Sequence, residues 1–234
     1  NFPSIRQLGE HTPKIGLDVV RNSYDGRYSS LPVEILRSSG TVVERLDFST
    51  PANVYVRQNE ATFFALDKWH IRSKLTLDLG LRFDHDSLTG ENHLAPRVGF
   101  ALAPGKSGRS VLRGGVGLFY DRVNLNVPTF ADLPAETVTR YAPDGRLLTT
   151  RQYTHLVEGG IRNPRSVGWN VEFDQQVTAD LLLRIGYQQR DTVRDFVGEP
   201  GIEKLTLSSS GHNRYREFQT ATRYRLHKHV VNAS

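Results

Sequence analysis

The residues from Lys74 to Asp84 read KLTLDLGLRFD, and they alternate without a break. Leu75, Leu77, Leu79, Leu81 and Phe83 share one parity; Thr76, Asp78, Gly80, Arg82 and Asp84 share the other. A helix does not sort residues this way, because its faces repeat about every 3.6 residues. A period of two belongs to an extended strand with one apolar and one polar face. The stretch also has the length, roughly 9–11 residues, at which a tilted strand crosses a bilayer.

The same alternation returns along the chain. Ile15, Leu17 and Val19 oppose Lys14, Gly16 and Asp18, and Phe63, Ala65, Trp69 and Ile71 form another face with Asp67 as its exception. Val98, Phe100 and Leu102 oppose Arg97, Gly99 and Ala101; Leu112, Val116, Leu118 and Tyr120 oppose Arg113, Gly115, Gly117 and Asp121. Trp169, Val171 and Phe173 then oppose Asn170, Glu172 and Asp174. Leu181, Leu183, Ile185 and Tyr187 oppose Arg184, Gly186 and Gln188, with Leu182 out of pattern, and Phe218, Tyr224 and Leu226 oppose Glu217, Gln219, Arg223 and Arg225. About eight strands of this kind are expected.

Their connections are expected to alternate in length. Arg72-Ser73, Pro104 to Gly108, Thr178 to Asp180 and Leu226 to His229 are short, whereas Ser23 to Asn53, His85 to His93, Arg122 to Val167 and Asp191 to Asn213 are long. Outer-membrane barrels have this asymmetry, with tight periplasmic turns and extended outer loops. Trp69, Trp169, Phe83, Tyr120 and Tyr224 are then placed near strand ends, where aromatic girdles sit.

Composition narrows the field further. Mean hydropathy is −0.44 and no run of about 18 apolar residues exists, so no transmembrane helix is available. A window average conceals alternating strands, which leaves a barrel open. Cysteine and methionine are absent, removing disulfides and thiol chemistry, and no signal peptide opens the chain. The expectation is a fragment or processed chain. The net charge of +5 comes from residues scattered singly, without the basic stripe that nucleic-acid binding requires.

The stretch FFALDKWHIRSKLTLDLGLRFD resembles the signature hairpin of TonB-dependent receptors, in particular the Oar-like subgroup that carries a carboxypeptidase-regulatory-like domain. Phe64, Asp67, Trp69, Leu75, Thr76, Leu77, Gly80, Leu81, Arg82, Phe83 and Asp84 fill its positions, while Ala65 and Leu66 stand where a polar pair is usual. APRVGFALAP, SVLRGGVGLFYDR and IRNPRSVGWNVEFDQQV resemble the strands that follow. The resemblance implies an all-β, antiparallel up-and-down transmembrane barrel of about 22 strands with a plugged lumen. This chain would be a partial barrel over residues 1–234, without the plug domain. The implied partners are outer-membrane lipid, the plug of the full-length protein and the energy-coupling TonB protein. The implied place is the bacterial outer membrane, and the implied activity is uptake of a siderophore, glycan, peptide or corrinoid.

No enzyme signature is present: there is no nucleophile elbow, P-loop or H-E-x-x-H. Gly114-Gly115-Val116-Gly117 lies inside an alternating strand and opens no helix, so it is no dinucleotide site. Asp84, His85, Asp86 and His93 border one link, and His227 and His229 another, but neither spacing matches a recognised metal site, and no cofactor is expected. The candidate functional residues are the lumen-facing arginines Arg82, Arg97, Arg113, Arg184 and Arg223, interleaved with Asp78, Asp84, Glu172, Asp174 and Glu217. They are expected to touch plug or substrate, or else only to hydrate the wall. Two other architectures fit the alternation: a self-contained small barrel acting as adhesin or porin, and a soluble β-sandwich binding module.

Overall fold

A computed structural model describes residues 9–105, 108–226 and 229–233. Eight long antiparallel strands form one continuous wall: β1 (Glu10–Tyr28), β4 (Ala52–Ile71), β5 (Leu75–Asp86), β6 (Glu91–Leu102), β7 (Ser110–Tyr120), β10 (Arg165–Gln176), β11 (Leu181–Pro200) and β12 (Lys204–Leu226). A short β13 (His229–Ala233) pairs with the last turn of β12. Apart from a 3-10 turn at Pro128–Asp132, no helix occurs among the described residues. The wall is open, since β1 and β12 are not paired with each other.

One face of this wall is apolar and uncovered. Leu17, Phe63, Phe83 and Leu94 lie side by side across four strands, and 74%, 48%, 43% and 53% of their surfaces remain exposed. Leu79 and Leu81 are likewise 38% and 46% exposed, so no second sheet or helix layer lies over them. That removes the β-sandwich architecture. An apolar belt of this extent is stable only against hydrocarbon.

The belt slips along the strands as it crosses the wall. The hydrogen-bonded rung through Leu79, Val98, Val116 and Trp169 continues into Gln189 and Arg216. On β11 and β12 the apolar positions have moved toward the turns, to Leu183, Ile185, Phe218 and Tyr224. A tilted, sheared barrel wall requires such a stagger, because a level band of lipid cuts tilted strands at successively shifted residues. Trp169 consequently lies mid-belt, not at a rim. Tyr120 turns from the girdle position to stack on buried His93, with ring centroids 4.1 Å apart.

The structure corrects the long links. β5 ends at Asp86 and β6 starts at Glu91, so His85 to His93 is a tight hairpin. Asp191 to Asn213 is mostly strand: β11 and β12 run 20 and 23 residues, with a bulge where Arg194 takes φ 64°. At about 3.3 Å per residue β12 is far longer than a bilayer crossing. The extension carries no one-sided apolar pattern because both faces meet water, yet the ladder of backbone hydrogen bonds persists. The other two links build an outer sheet. β2 (Val33–Leu36) and β3 (Val42–Phe48) rise between β1 and β4; β8 (Glu136–Tyr141) and β9 (Leu147–Glu158) rise between β7 and β10. β3 pairs with β8, and β9 runs parallel to Lys204–Ser208 of β12.

The end of the β7–β10 link is tied down above the belt. Buried Asp86 accepts from Gln58 Nε2 at 3.1 Å, Leu88 N at 2.8 Å and Asn163 Nδ2 at 3.2 Å. Glu91 accepts from Arg162 Nε at 3.1 Å and from the Asn163 amide at 3.3 Å, with Arg194 3.6 Å away. Burial alone raises the Glu91 carboxyl, but the Arg162 and Asn163 hydrogen bonds and the charges of Arg194 and Arg162 outweigh it and hold the group below the ordinary glutamate range.

Two outcomes follow from this architecture. A group depressed in the folded state stabilises above its unfolded value and loses that contribution as pH falls through the folded one. The protection factor of the Asn163 amide, taken relative to intrinsic base-catalysed exchange, should therefore be flat from neutrality to the ordinary glutamate range and fall below it, and Glu91→Gln should abolish that pH dependence. On the lipid face, a Cβ at Gly114 would meet Phe100 Cε1 at 2.8 Å and the Asn170 carbonyl at 2.9 Å. Gly114→Ala should cost about 1–3 kcal/mol in denaturant titration of the full-length protein, because a backbone oxygen cannot step aside.

Candidate functional site: the lumen-facing wall

The opposite parity of the same strands faces inward. Across β4 to β12 it presents Lys68, Asp78, Gly99, Gly115, Asn170, Gln188 and Glu217 in one rung, and Leu66, Gly80, Arg97, Gly117, Gly168 and Arg190 in the next. These rungs line a trough of about 1220 Å³, bordered also by Lys14, Phe119 and Tyr215. The wall is thus polar on one side and apolar on the other, as the alternation predicts.

The five predicted arginines do not behave alike. Arg113 and Arg184 share two carboxylates. Arg184 donates to Asp174 at 2.7 and 3.0 Å, Arg113 donates to Glu172 at 3.0 Å and pairs with Asp174 as well, and Arg184 lies 3.5 Å from Glu172. Cross-strand register explains the cluster: Arg113 lies opposite Glu172 and Arg184 opposite Asp174. Asp174 is buried, so its two guanidinium partners compensate a carboxylate withdrawn from water. Arg82 is neutralised two residues along its own strand by Asp84 at 2.8 Å, and Asp84 also accepts from Thr62 Oγ1 at 2.5 Å.

Arg97 has no carboxylate partner among the described residues. Its guanidinium lies 5.1 Å from the centre of the Phe119 ring, a cation–π contact in the trough. Gly117 makes the arrangement possible, since a Cβ there would approach Phe119 Cζ to 2.9 Å and Arg97 Cγ to 3.2 Å. Arg223 is exposed near the tight-turn end and has no ion pair among the described residues. Structure therefore divides the set: Arg82, Arg113 and Arg184 are committed to the wall, while Arg97 and Arg223 remain open to an outside partner.

Sequence reasoning missed several inward groups. Glu60 is buried and pairs with Arg122 at 2.7 Å; Arg190 pairs with Asp121 at 3.0 Å; Gln58 and Asn163 converge on Asp86. Asn163 stands in a link and carries no periodic signal, so only the folded chain reveals it. Phe119 shares the lumen parity of Arg113 and Gly117, but its contact with Arg97 leaves no trace in the sequence. The suggested cluster of Asp84, His85, Asp86 and His93 is divided by the same parity: His85 hydrogen-bonds Asn92 at 2.9 Å on the opposite face from the other three. The side chains of His227 and His229 lie outside the described residues.

Comparison with known proteins fits this geometry. A family described as an outer membrane beta barrel domain matches residues 88–229, more than half of the chain. No curated protein matches it. Among solved structures, the outer membrane transporter YddB from Escherichia coli aligns with a TM-score of 0.66 at 11% identity, over 95% of this chain and 29% of its own. The siderophore receptor PirA from Acinetobacter baumannii aligns at 0.67 and 12%, over 96% of this chain and 33% of that one. A ferric enterobactin receptor mutant (PfeA) from Pseudomonas aeruginosa aligns at 0.59 and 13%, over 94% and 40%. The chain spans roughly a third of the length of the first two. With its lipid-facing belt, polar trough and family match, this chain belongs to the outer membrane β-barrel domains and has its place in the bacterial outer membrane.

Proposed function

We propose that the chain is a section of the barrel wall of a TonB-dependent receptor of the Oar-like subgroup, residues 1–234 being partial barrel and the plug belonging to another part of the full-length protein. The observation that carries this reading is the one-sided wall, apolar toward lipid and polar around a trough of about 1220 Å³. The free edge of β1, and the stretch of β12 between its pairings with β9 and β13, support a larger barrel, because a strand edge in hydrocarbon leaves backbone groups unsatisfied. For the same reason a self-contained eight-stranded barrel is disfavoured.

In this reading the activity is binding and translocation, with no bond made or broken, driven through the TonB protein. The solute class is a siderophore, glycan, peptide or corrinoid. Likeness to receptors described as siderophore and ferric enterobactin receptors favours the first. The wall arginines divide the work: Arg113 and Arg184 hold adjacent strands together through Asp174 and Glu172, and Arg97 and Arg223 meet the plug or the passing solute.

Substitutions in the full-length receptor separate these roles. Arg113→Ala leaves buried Asp174 short of a partner and should lower barrel stability by about 1–3 kcal/mol, read as a denaturant midpoint. Arg97→Ala should leave that midpoint unchanged and weaken plug retention, measured by protease access to the plug, or solute binding. Unchanged plug retention and unchanged solute uptake in Arg97→Ala and Arg223→Ala together would remove the contact role and leave these two side chains as hydration of the wall.

A further inference from the structure

Above the belt, where Glu60 lies opposite Asp86, three carboxylates of the wall meet two cations. Asp84 is matched by Arg82 at 2.8 Å and Glu60 by Arg122 at 2.7 Å, whereas Asp86 accepts only from the neutral donors Gln58, Leu88 and Asn163. Asp121, which borders the same group, is engaged by Arg190, and His85 turns to the opposite face to bond Asn92. The group is one positive charge short. Two of its atoms also lack a hydrogen bond. Glu60 and His93 are 7% and 4% exposed, and Glu60 Oε1 and His93 Nε2 have no partner among the described residues. Glu91 Oε2 lies 3.7 Å from His93 Nε2, beyond hydrogen-bonding reach. Both residues border one cavity of about 20 Å³, which has room for a single water.

One proton answers all of these deficits. On Glu60 Oε1 it makes a donor, His93 Nε2 is an acceptor on the same cavity, and the excess negative charge is cancelled. Asp84 and Asp86 leave less room for it, because donors already occupy both of their oxygens. Burial raises the Glu60 carboxyl, and Asp86 and Asp84 add to that against the opposing charges of Arg122 and Arg82. The proton acts on Arg122. This exposed residue follows β7, and its pair with Glu60 anchors the start of the β7–β10 link, as Asn163 anchors the end. With Glu60 neutral, water takes up the guanidinium and the start loses its anchor. The end stays fixed: the Asp121 amide donates to the Pro164 carbonyl at 2.9 Å, and Glu91, held below the ordinary glutamate range, keeps its charge.

We infer that Glu60 and His93 form a proton-operated latch: a proton shared between Glu60 Oε1 and His93 Nε2 frees Arg122, and the start of the β7–β10 link loosens while Asn163 holds its end. The loosened stretch contains the 3-10 turn with Thr129, whose bond to Tyr28 fastens the link to β1. Acid therefore slackens the footing of the outer sheet without unfolding the wall. A carboxyl raised in the folded state takes up its proton more readily there than in the unfolded chain, so its contribution to stability grows as pH falls through the raised range. The inference stands on the geometry of this cluster and is independent of the transport reading.

The test places a nitroxide on Asn124→Cys, an exposed position two residues beyond Arg122, in the full-length protein in nanodiscs; this chain holds no cysteine of its own. The label should be immobile near neutrality and several-fold more mobile in acid, with a midpoint above the ordinary glutamate range. Over the same interval the denaturant midpoint should not fall. Glu60→Gln and Arg122→Gln should each leave the label mobile at every pH. His93→Phe, which keeps a ring against Tyr120 and removes the acceptor, should move the midpoint to lower pH. A label indifferent to pH in the wild type overturns the inference, as does a transition that survives in Glu60→Gln or Arg122→Gln, or a midpoint unmoved in His93→Phe. If Glu60→Gln fails to fold, the exposed Arg122→Gln position decides the matter alone.

Discussion

A backbone crossing hydrocarbon has no water to satisfy its N–H and C=O groups, and every other feature of this wall depends on that constraint. Each strand must bond to neighbours on both sides, and from β4 through β11 the wall does so in unbroken antiparallel ladders. Once the backbone is fixed as a sheet, side chains have only two directions. One set meets lipid, and Leu17, Phe63, Phe83 and Leu94 can remain largely exposed without cost. The other set surrounds water, where Arg97, Asn170 and Gln188 are at home.

Charge inside the trough is handled locally. Neighbouring strands bring Arg113, Arg184, Glu172 and Asp174 together because register sets them opposite one another, and the group is neutral as a whole. A carboxylate as buried as Asp174 would be costly alone; with two guanidinium groups it becomes a cross-strand clamp. The outer sheet uses weaker versions of the same pairing. Arg45 with Asp47 and Glu34, and Arg140 with Glu44, involve arginines exposed enough that solvent screens most of their attraction. Burial, not the number of ion pairs, separates clamp from decoration.

Above the membrane the chain no longer needs one apolar face, and its organisation changes. The longest strands continue as ribbons, and two inserted hairpins bridge from the β1–β4 link to the top of β12. Specific side chains fasten this superstructure: Tyr28 hydroxyl to buried Thr129 at 2.8 Å, the Ala135 amide to Ser49 Oγ at 2.9 Å, and Arg37 to the Tyr141 carbonyl at 2.8 Å. Such contacts join residues about a hundred positions apart in sequence and leave no periodic trace.

The sequence by itself determined the strands of the membrane belt, their two faces and the class of barrel, because the period of two is written directly into Leu75 to Phe83 and its counterparts. It determined that Arg82, Arg97, Arg113, Arg184 and Arg223 share the polar parity. Tertiary structure alone decided which of them are neutralised, since pairing depends on cross-strand register and on neighbours such as Asp84 and Asp174. It also decided that the presumed long loops at His85 to His93 and Asp191 to Asn213 are hairpin and extended strand. Polar residues in water satisfy a β ladder as well as a loop, so their sequence does not reveal which they form. Only the partner strand does.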